Sequence, residues 1–342
     1  MSRLMAQTLV PVVILTVILT ILLFSPSASA GAPKYPAPIP VIYDSDIGDD
    51  IDDTWALVML LKSPEFDVKL VVGDFRKAIY RTKLFAKLLT IANRTDIPIG
   101  MAFGGKDGGG RQSRWVKDYD LSSYEGKIYE DGVQAIIDTI MKSEQPITVI
   151  AVGPLTNIAE ALRRQPQIAQ KARFVGMHGS VRLGYGGSKT IHAEYNVRAD
   201  AKACQATLSA PWDITITPLD TCGLIHLRGE KYAKVRDCDD PLTRALIENY
   251  RIWRLDNKPG EIKTDETASS TLFDTVAIYL AFSQDLVKME ELPIRVTDDG
   301  FTRIDENGKK MKVATAWKDM AAFEDLLVKR VTAPVVKRQG GN

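Results

Sequence analysis

The chain is 342 residues long, 45% hydrophobic and 25% charged, a composition that supports a sizeable buried core. Its 44 basic and 43 acidic residues leave a net charge of +1, so no global field draws it to nucleic acid or to an anionic membrane surface. With three histidines and three cysteines, and no CxxC, there is little material for a zinc site.

Arg3, the apolar run Leu9 to Phe24 and the small residues Ser25 to Ala30, ending Ala28-x-Ala30, predict a signal peptide over residues 1–30. The run is shorter than the roughly 18–20 residues of a membrane span. The mature chain is therefore expected in the periplasm or outside the cell, with no stable membrane insertion; an uncleaved N-terminal anchor is the alternative. Residues 31–40 read as an Ala/Pro linker, 41–332 as one domain and 333–342 as a disordered tail. Within the domain, Val41 to Tyr43, Val68 to Val72, Ile97 to Ile99, Ile147 to Val152, Phe174 to Met177 and Ile214 to Thr217 read as short buried strands. Thr54 to Lys62, Lys77 to Ala92, Asp131 to Lys142, Leu155 to Arg163 and Ala199 to Leu208 have helical spacing of apolar residues. That alternation predicts an α/β fold, a single doubly wound and mostly parallel sheet. Gly104 to Tyr124 and Gly179 to Thr190 read as long loops, the first a possible lid. Ile294 to Val296, Phe301 to Ile304 and Met311 to Ala314 predict a small C-terminal antiparallel ribbon turning at Asn307-Gly308, followed by a helix from Trp317 to Val331. An odd number of cysteines allows one bridge, Cys222 with Cys238, or three free thiols.

The chemistry is concentrated after the first strand, where Asp44-Ser45-Asp46-Ile47-Gly48-Asp49-Asp50-Ile51-Asp52-Asp53 places six carboxylates in ten residues. In an open α/β sheet, ligands bind beyond the carboxyl ends of strands. So many like charges repel unless a cation neutralises them, and oxygen-only donors suit a hard ion such as Ca²⁺ or Mg²⁺. A solvated acidic helix cap accounts for Asp52 and Asp53 but not for Asp44 and Asp46. An EF-hand loop from Asp44 fails, because Asp49 and Trp55 occupy the positions of its Gly and Glu. A haloacid-dehalogenase-type DxD at Asp44/Asp46 leaves the later aspartates unexplained.

The segment resembles the DxDxGxDDxxA signature of the nucleoside hydrolase family, with two additional residues between Gly48 and the Asp52-Asp53 pair. Further similarities follow in the family's order. Val71-Val72-Gly73-Asp74 resembles a VxGN-like segment, with Asp74 in place of Asn; Val152-Gly153-Pro154-Leu155-Thr156-Asn157-Ile158-Ala159 resembles TGPLTNIA. Met177-His178-Gly179 is similar to MGG, Ala193-Glu194-Tyr195-Asn196 to AEFN, and Phe273-Asp274 to a late HD pair. The resemblance implies hydrolysis of the N-glycosidic bond of ribonucleosides. It implies Ca²⁺ bound by Asp46, Asp53, Asp274 and the main-chain carbonyl of Val152, with Asp46 as the base that activates a calcium-bound water. It also implies substrate contacts from Asp52, Asp74, Met177, Glu194, Asn196 and Phe273, and allows a homo-oligomer. Phe273 stands where some members carry a His that protonates the leaving base; His178, His192, Tyr185 and Trp115 are the replacements to consider. A non-catalytic, exported Ca²⁺-dependent nucleoside- or sugar-binding protein, and the phosphatase, are the alternative functions.

Overall fold

The computed structural model describes residues 37–105, 108–257 and 266–336. The signal segment and most of the linker lie outside the described residues. Among those described, no helix is long and apolar enough to cross a membrane.

Among the described residues, ten strands form one sheet: β1 (Ile39–Ser45), β2 (Phe66–Gly73), β3 (Ile99–Gly100), β4 (Ile128–Tyr129), β5 (Ile147–Ala151), β6 (Ala172–Met177), β7 (Ile214–Thr217), β8 (Val287–Val296), β9 (Thr302–Ile304) and β10 (Lys309–Trp317). Their order is β4-β3-β2-β1-β5-β6-β7-β10-β8-β9. The pairs from β4 to β7 are all parallel, and β10 joins β7 in parallel before β8 and β9 add antiparallel edges. The chain therefore winds outward from β1 in one direction, returns, and continues from β5 in the other. The topological switch point lies between β1 and β5.

Strands at the centre of such a sheet are covered on both faces, which is why β1 and β5 are near-continuous apolar runs. Alternate residues feed separate cores: Val41 and Tyr43 of β1 pack on one side with the helix Asp52–Leu61, and Ile42 on the other with Val133, Ile136 and Ile140. The helix Asp52–Leu61 is buried on every side, so its first turn is held rigidly against the end of β1.

The expected C-terminal antiparallel ribbon is present as β8, β9 and β10, joined to the main sheet through β10. Several finer expectations are corrected. β9 and β10 flank β8 on opposite sides, so Asn307-Gly308 lies in a crossing connection and not in a hairpin turn. The tight turn is at Thr297 to Gly300, where Gly300 takes φ 84° and its N–H donates to Thr297 at 3.0 Å. Trp317 ends β10, and the last helix starts only at Met320, capped by the Asp319 carboxylate accepting from the Ala322 N–H. Cys222 and Cys238 are not bridged; all three cysteines are free, and the Cys222 thiol faces the Pro218 carbonyl at 3.2 Å inside a 3-10 turn. Ile39 and Pro40, expected in the linker, begin β1. Val336, expected in a disordered tail, donates to the Leu61 carbonyl and accepts from Arg94; residues 337–342 lie outside the described residues.

Candidate active site

The aspartate segment leaves β1 and Val152 leaves β5, so both arrive at the switch point of the sheet. Gly153 has to be glycine there, because a Cβ would stand 2.9 Å from the Asp46 nitrogen. Gly48, with φ 108°, turns the segment back where a side chain would strike Tyr80. A cavity of about 1180 Å³ opens above this point. Asp46, Asp52, Asp53, Val152, Met177, Asn196, Phe273 and Asp274 line it, bringing together residues more than 200 positions apart in the chain.

Carboxylate oxygens of Asp52, Asp53 and Asp274 lie within 4.8 Å of one another, and all three residues are buried. Asp53 accepts from the Ser45 hydroxyl at 2.5 Å, and Asp52 from the Asp274 N–H at 3.3 Å. These two bonds tie the end of β1 and the start of the helix Thr275–Leu280 to the same helix turn. Burial, then the neighbouring carboxylates, holds Asp52, Asp53 and Asp274 well above the ordinary carboxylate range. Burial likewise pushes Asp46 up to about 6, with Arg81 pulling the other way. Carboxyl groups this close cannot all ionise without a cation among them, and an all-oxygen set fits a hard divalent ion. This cluster can hold a metal ion. Asp52, expected to contact ribose, belongs to the triad, whereas Asp46 lines the cavity beside it.

Two expected substrate contacts are placed elsewhere. Asp74 is fully buried beneath the cavity, accepts the Asn157 N–H at 3.2 Å, and leaves its Oδ2 without a partner among the described residues. Asp44 is its neighbour in this sealed layer, accepting from the Asn157 amide at 2.7 Å. Glu194 caps the helix Tyr195–Ala199, accepting from the N–H groups of Gly179, Asn196 and Val197, and so fixes the loop instead of facing the cavity. Asn196 does face it, while its amide donates to the Val152 carbonyl at 2.8 Å and to Met177. A carbonyl oxygen has two lone pairs, so Val152 retains one.

The residues considered as leaving-group acids fare differently. His178 is sealed, its Nε2 on the Gly153 carbonyl at 3.0 Å, and burial pushes it down to about 4. Trp115 is buried beneath Lys87, whose Nζ lies 4.0 Å from the ring centroid. His192 accepts the Tyr185 N–H, and the Tyr185 ring meets Phe273 edge-on at 6.0 Å.

The largest omission from the sequence reading is Arg81. Fully buried, its guanidinium bonds to the Asp46 and Ile47 carbonyls, to the Asp49 carboxylate, and to the carbonyls of Phe75 and Arg76. Phe75, Arg76 and Lys77 all have left-handed backbones, with φ of 51°, 67° and 50°. Such backbone costs about 1–2 kcal/mol per residue and persists only where its surroundings enforce it. Arg81 thus locks this strained turn to the aspartate segment, and Lys77 adds an ion pair to Asp49. An arginine on the inner face of an otherwise apolar helix was the available signal. Gln112 performs a similar task for the expected lid: it is buried, donates to the Asp50 carbonyl at 2.8 Å and accepts from Asn249 at 2.7 Å. Residues 108–124 are therefore pinned through Gln112, with Gly110, Arg111 and Arg114 on the cavity rim.

Comparison with known proteins agrees with this geometry. Residues 41–325 match the family model described as inosine-uridine preferring nucleoside hydrolase. The pyrimidine-specific ribonucleoside hydrolase RihA of Enterobacter sp. (strain 638) is 28% identical over 229 residues, 61% of this chain and 69% of that protein. The fold matches a plant nucleoside hydrolase, PpNRh1, with TM-score 0.73 and 22% identity over 87% of this chain and all of the other. It also matches a purine-preferring ribonucleoside hydrolase from Gardnerella vaginalis, with TM-score 0.69 and 20% identity over 86% of this chain and 98% of the other. A buried aspartate triad at the switch point of a doubly wound sheet, and a family match running from β1 into the final helix, lead to one conclusion: the chain belongs to the inosine-uridine preferring nucleoside hydrolase family, hydrolases acting on N-glycosyl bonds.

Proposed function

We propose that this chain cleaves ribonucleosides to ribose and free base with Asp46 as general base, and that Asp46, Asp53, Asp274 and the Val152 carbonyl, joined by Asp52, hold Ca²⁺. The observation that carries it is the convergence of Asp46, Asp52, Asp53 and Asp274 on the floor of a single cavity. A calcium ion bound there would supply Lewis acidity toward water and toward adjacent sugar hydroxyls. Asp46, ionised once the surrounding negative charge is balanced, takes a proton from water on the floor. Asn196 and Asp52 offer hydrogen-bond groups to ribose hydroxyls; a missing hydroxyl would leave a buried group unpaired, which selects ribose over deoxyribose. Phe273 supplies an apolar wall for the base.

Base preference is read from a panel, because one relative is named pyrimidine-specific and another purine-preferring. Incubating the protein with uridine, cytidine, inosine and adenosine in Ca²⁺ should release ribose from at least one. Binding heat without ribose would favour a receptor, and Mg²⁺-dependent phosphate release from a generic ester would favour the phosphatase. Export is part of the proposal, supported by the charged, apolar and small-residue succession of residues 1–30.

A further inference from the structure

When the C1′–N bond breaks, its electron pair passes to the base, and a group that donates a hydrogen bond to the base stabilises that charge. Phe273 has no such group. His178 is sealed on the Gly153 carbonyl, and the Asn196 amide is engaged by Val152. Of the cations on the rim, Lys77 pairs with Asp49, Arg111 faces Asp50, and Arg114 has a partner of its own. Tyr195 remains. It lines the cavity, is 42% exposed, and its hydroxyl has no hydrogen-bond partner among the described residues.

Its position is well defined. Glu194 on one side caps the helix, Asn196 on the other is bonded to Val152, and the Tyr195 N–H donates to the Tyr185 hydroxyl at 2.9 Å. Tyr185 in turn meets Phe273 edge-on, and Tyr195 and Phe273 line the same cavity. We propose that the Tyr195 hydroxyl donates a hydrogen bond to the departing base, a role that rests on the hydrolase function above. Burial and the charges of Asp46 and Asp49 push the phenol up to about 12, so it keeps its proton at neutral pH. Water oxygen bonds to C1′ and gives a proton to Asp46 while the base leaves with the C1′–N pair; the base takes a proton from solvent, Asp46 returns its proton to solvent, and Tyr195 keeps its own.

The test is Tyr195→Phe, which removes one oxygen from a partly exposed ring, assayed on uridine and on 4-nitrophenyl β-D-ribofuranoside. Nitrophenolate disperses its charge and leaves without help. The expected result is a fall of about 10²-fold in kcat/KM for uridine, the usual effect of losing one such donor, with the nitrophenyl riboside unchanged. Equal losses on both, or no loss on uridine, would overturn it. Where uridine is not the nucleoside cleaved, the best substrate of the four-nucleoside panel takes its place in this comparison; a wild-type protein inert toward all four nucleosides and the nitrophenyl riboside would instead overturn the hydrolase function, and this role with it.

Discussion

Two layers of buried carboxylates lie at the strand ends of this molecule, and they differ in one respect. The upper layer, Asp46, Asp52, Asp53 and Asp274, lines the cavity; the lower layer, Asp44 and Asp74, is closed off beneath it by Asn157. Both are desolvated and both have raised pKa values, so perturbation alone does not mark the reactive groups. Access to the cavity does. The upper layer can be neutralised by a cation entering from solvent, whereas the lower layer can be neutralised only by retaining protons.

The comparison breaks most readily at Asp46. Asp46→Asn should lower ribose release by about 10⁴-fold, the upper end for a lost proton acceptor, with the fold intact by circular dichroism; full activity in this variant would remove Asp46 as base. Asp74→Asn, one layer down, should leave turnover nearly unchanged. Next in size is Arg81→Met, which strips the carbonyls of Asp46, Ile47, Phe75 and Arg76 of their donor and leaves the partly exposed Asp49 to Lys77 alone; it should destabilise the protein by about 3–5 kcal/mol in urea unfolding. An effect under about 1 kcal/mol, the scale of an exposed pair, would contradict the clamp.

The pH dependence of the metal-free protein sharpens the contrast. Burial raises Asp46 and Asp44 to about 6 and about 7 from an ordinary value of 3.8. Their folded-state values lie above the unfolded ones, so the stability they contribute is present in acid and is lost as pH rises through about 4 to 7. The melting temperature after chelation should therefore fall between pH 4 and pH 8, and Ca²⁺ should restore it most at the alkaline end; a flat profile would contradict this. Asp74→Asn should raise the melting temperature at pH 8, since Asp74 is also raised by burial, with the gain shrinking in acid. The smallest effect belongs to Glu194→Ala, where a lost helix cap costs about 1–2 kcal/mol.

Most of the sheet was legible because β1, β2 and β5 through β7 are short apolar runs set between helical patterns, with lengths and spacing that admit little else. The helix Pro241–Asn257 was passed over, although Leu242, Ala245, Leu246, Tyr250 and Trp253 carry its buried stripe. Its charged outer face dilutes the signal, and no strand follows to frame it. The aspartate floor was legible through a local motif. Asp74 and Glu194 were misplaced because a motif specifies residue type and order, whereas direction depends on who donates to the side chain. Glu194 is claimed by three N–H groups, those of Asn196 and Val197 in the helix it caps and that of the distant Gly179, which no spacing rule discloses. Arg81 and Tyr195 escaped for the same reason: their roles come from partners, or a missing partner, far away in sequence.

Calcium titration of the chelated protein by calorimetry, on wild type and on Asp53→Asn and Asp274→Asn, tests the convergence most directly. One bound ion in the wild type, with affinity sharply reduced in either variant and ribose release restored only when the site fills, is the predicted outcome. Undiminished calcium affinity in both variants, or full ribose release after chelation, would contradict it.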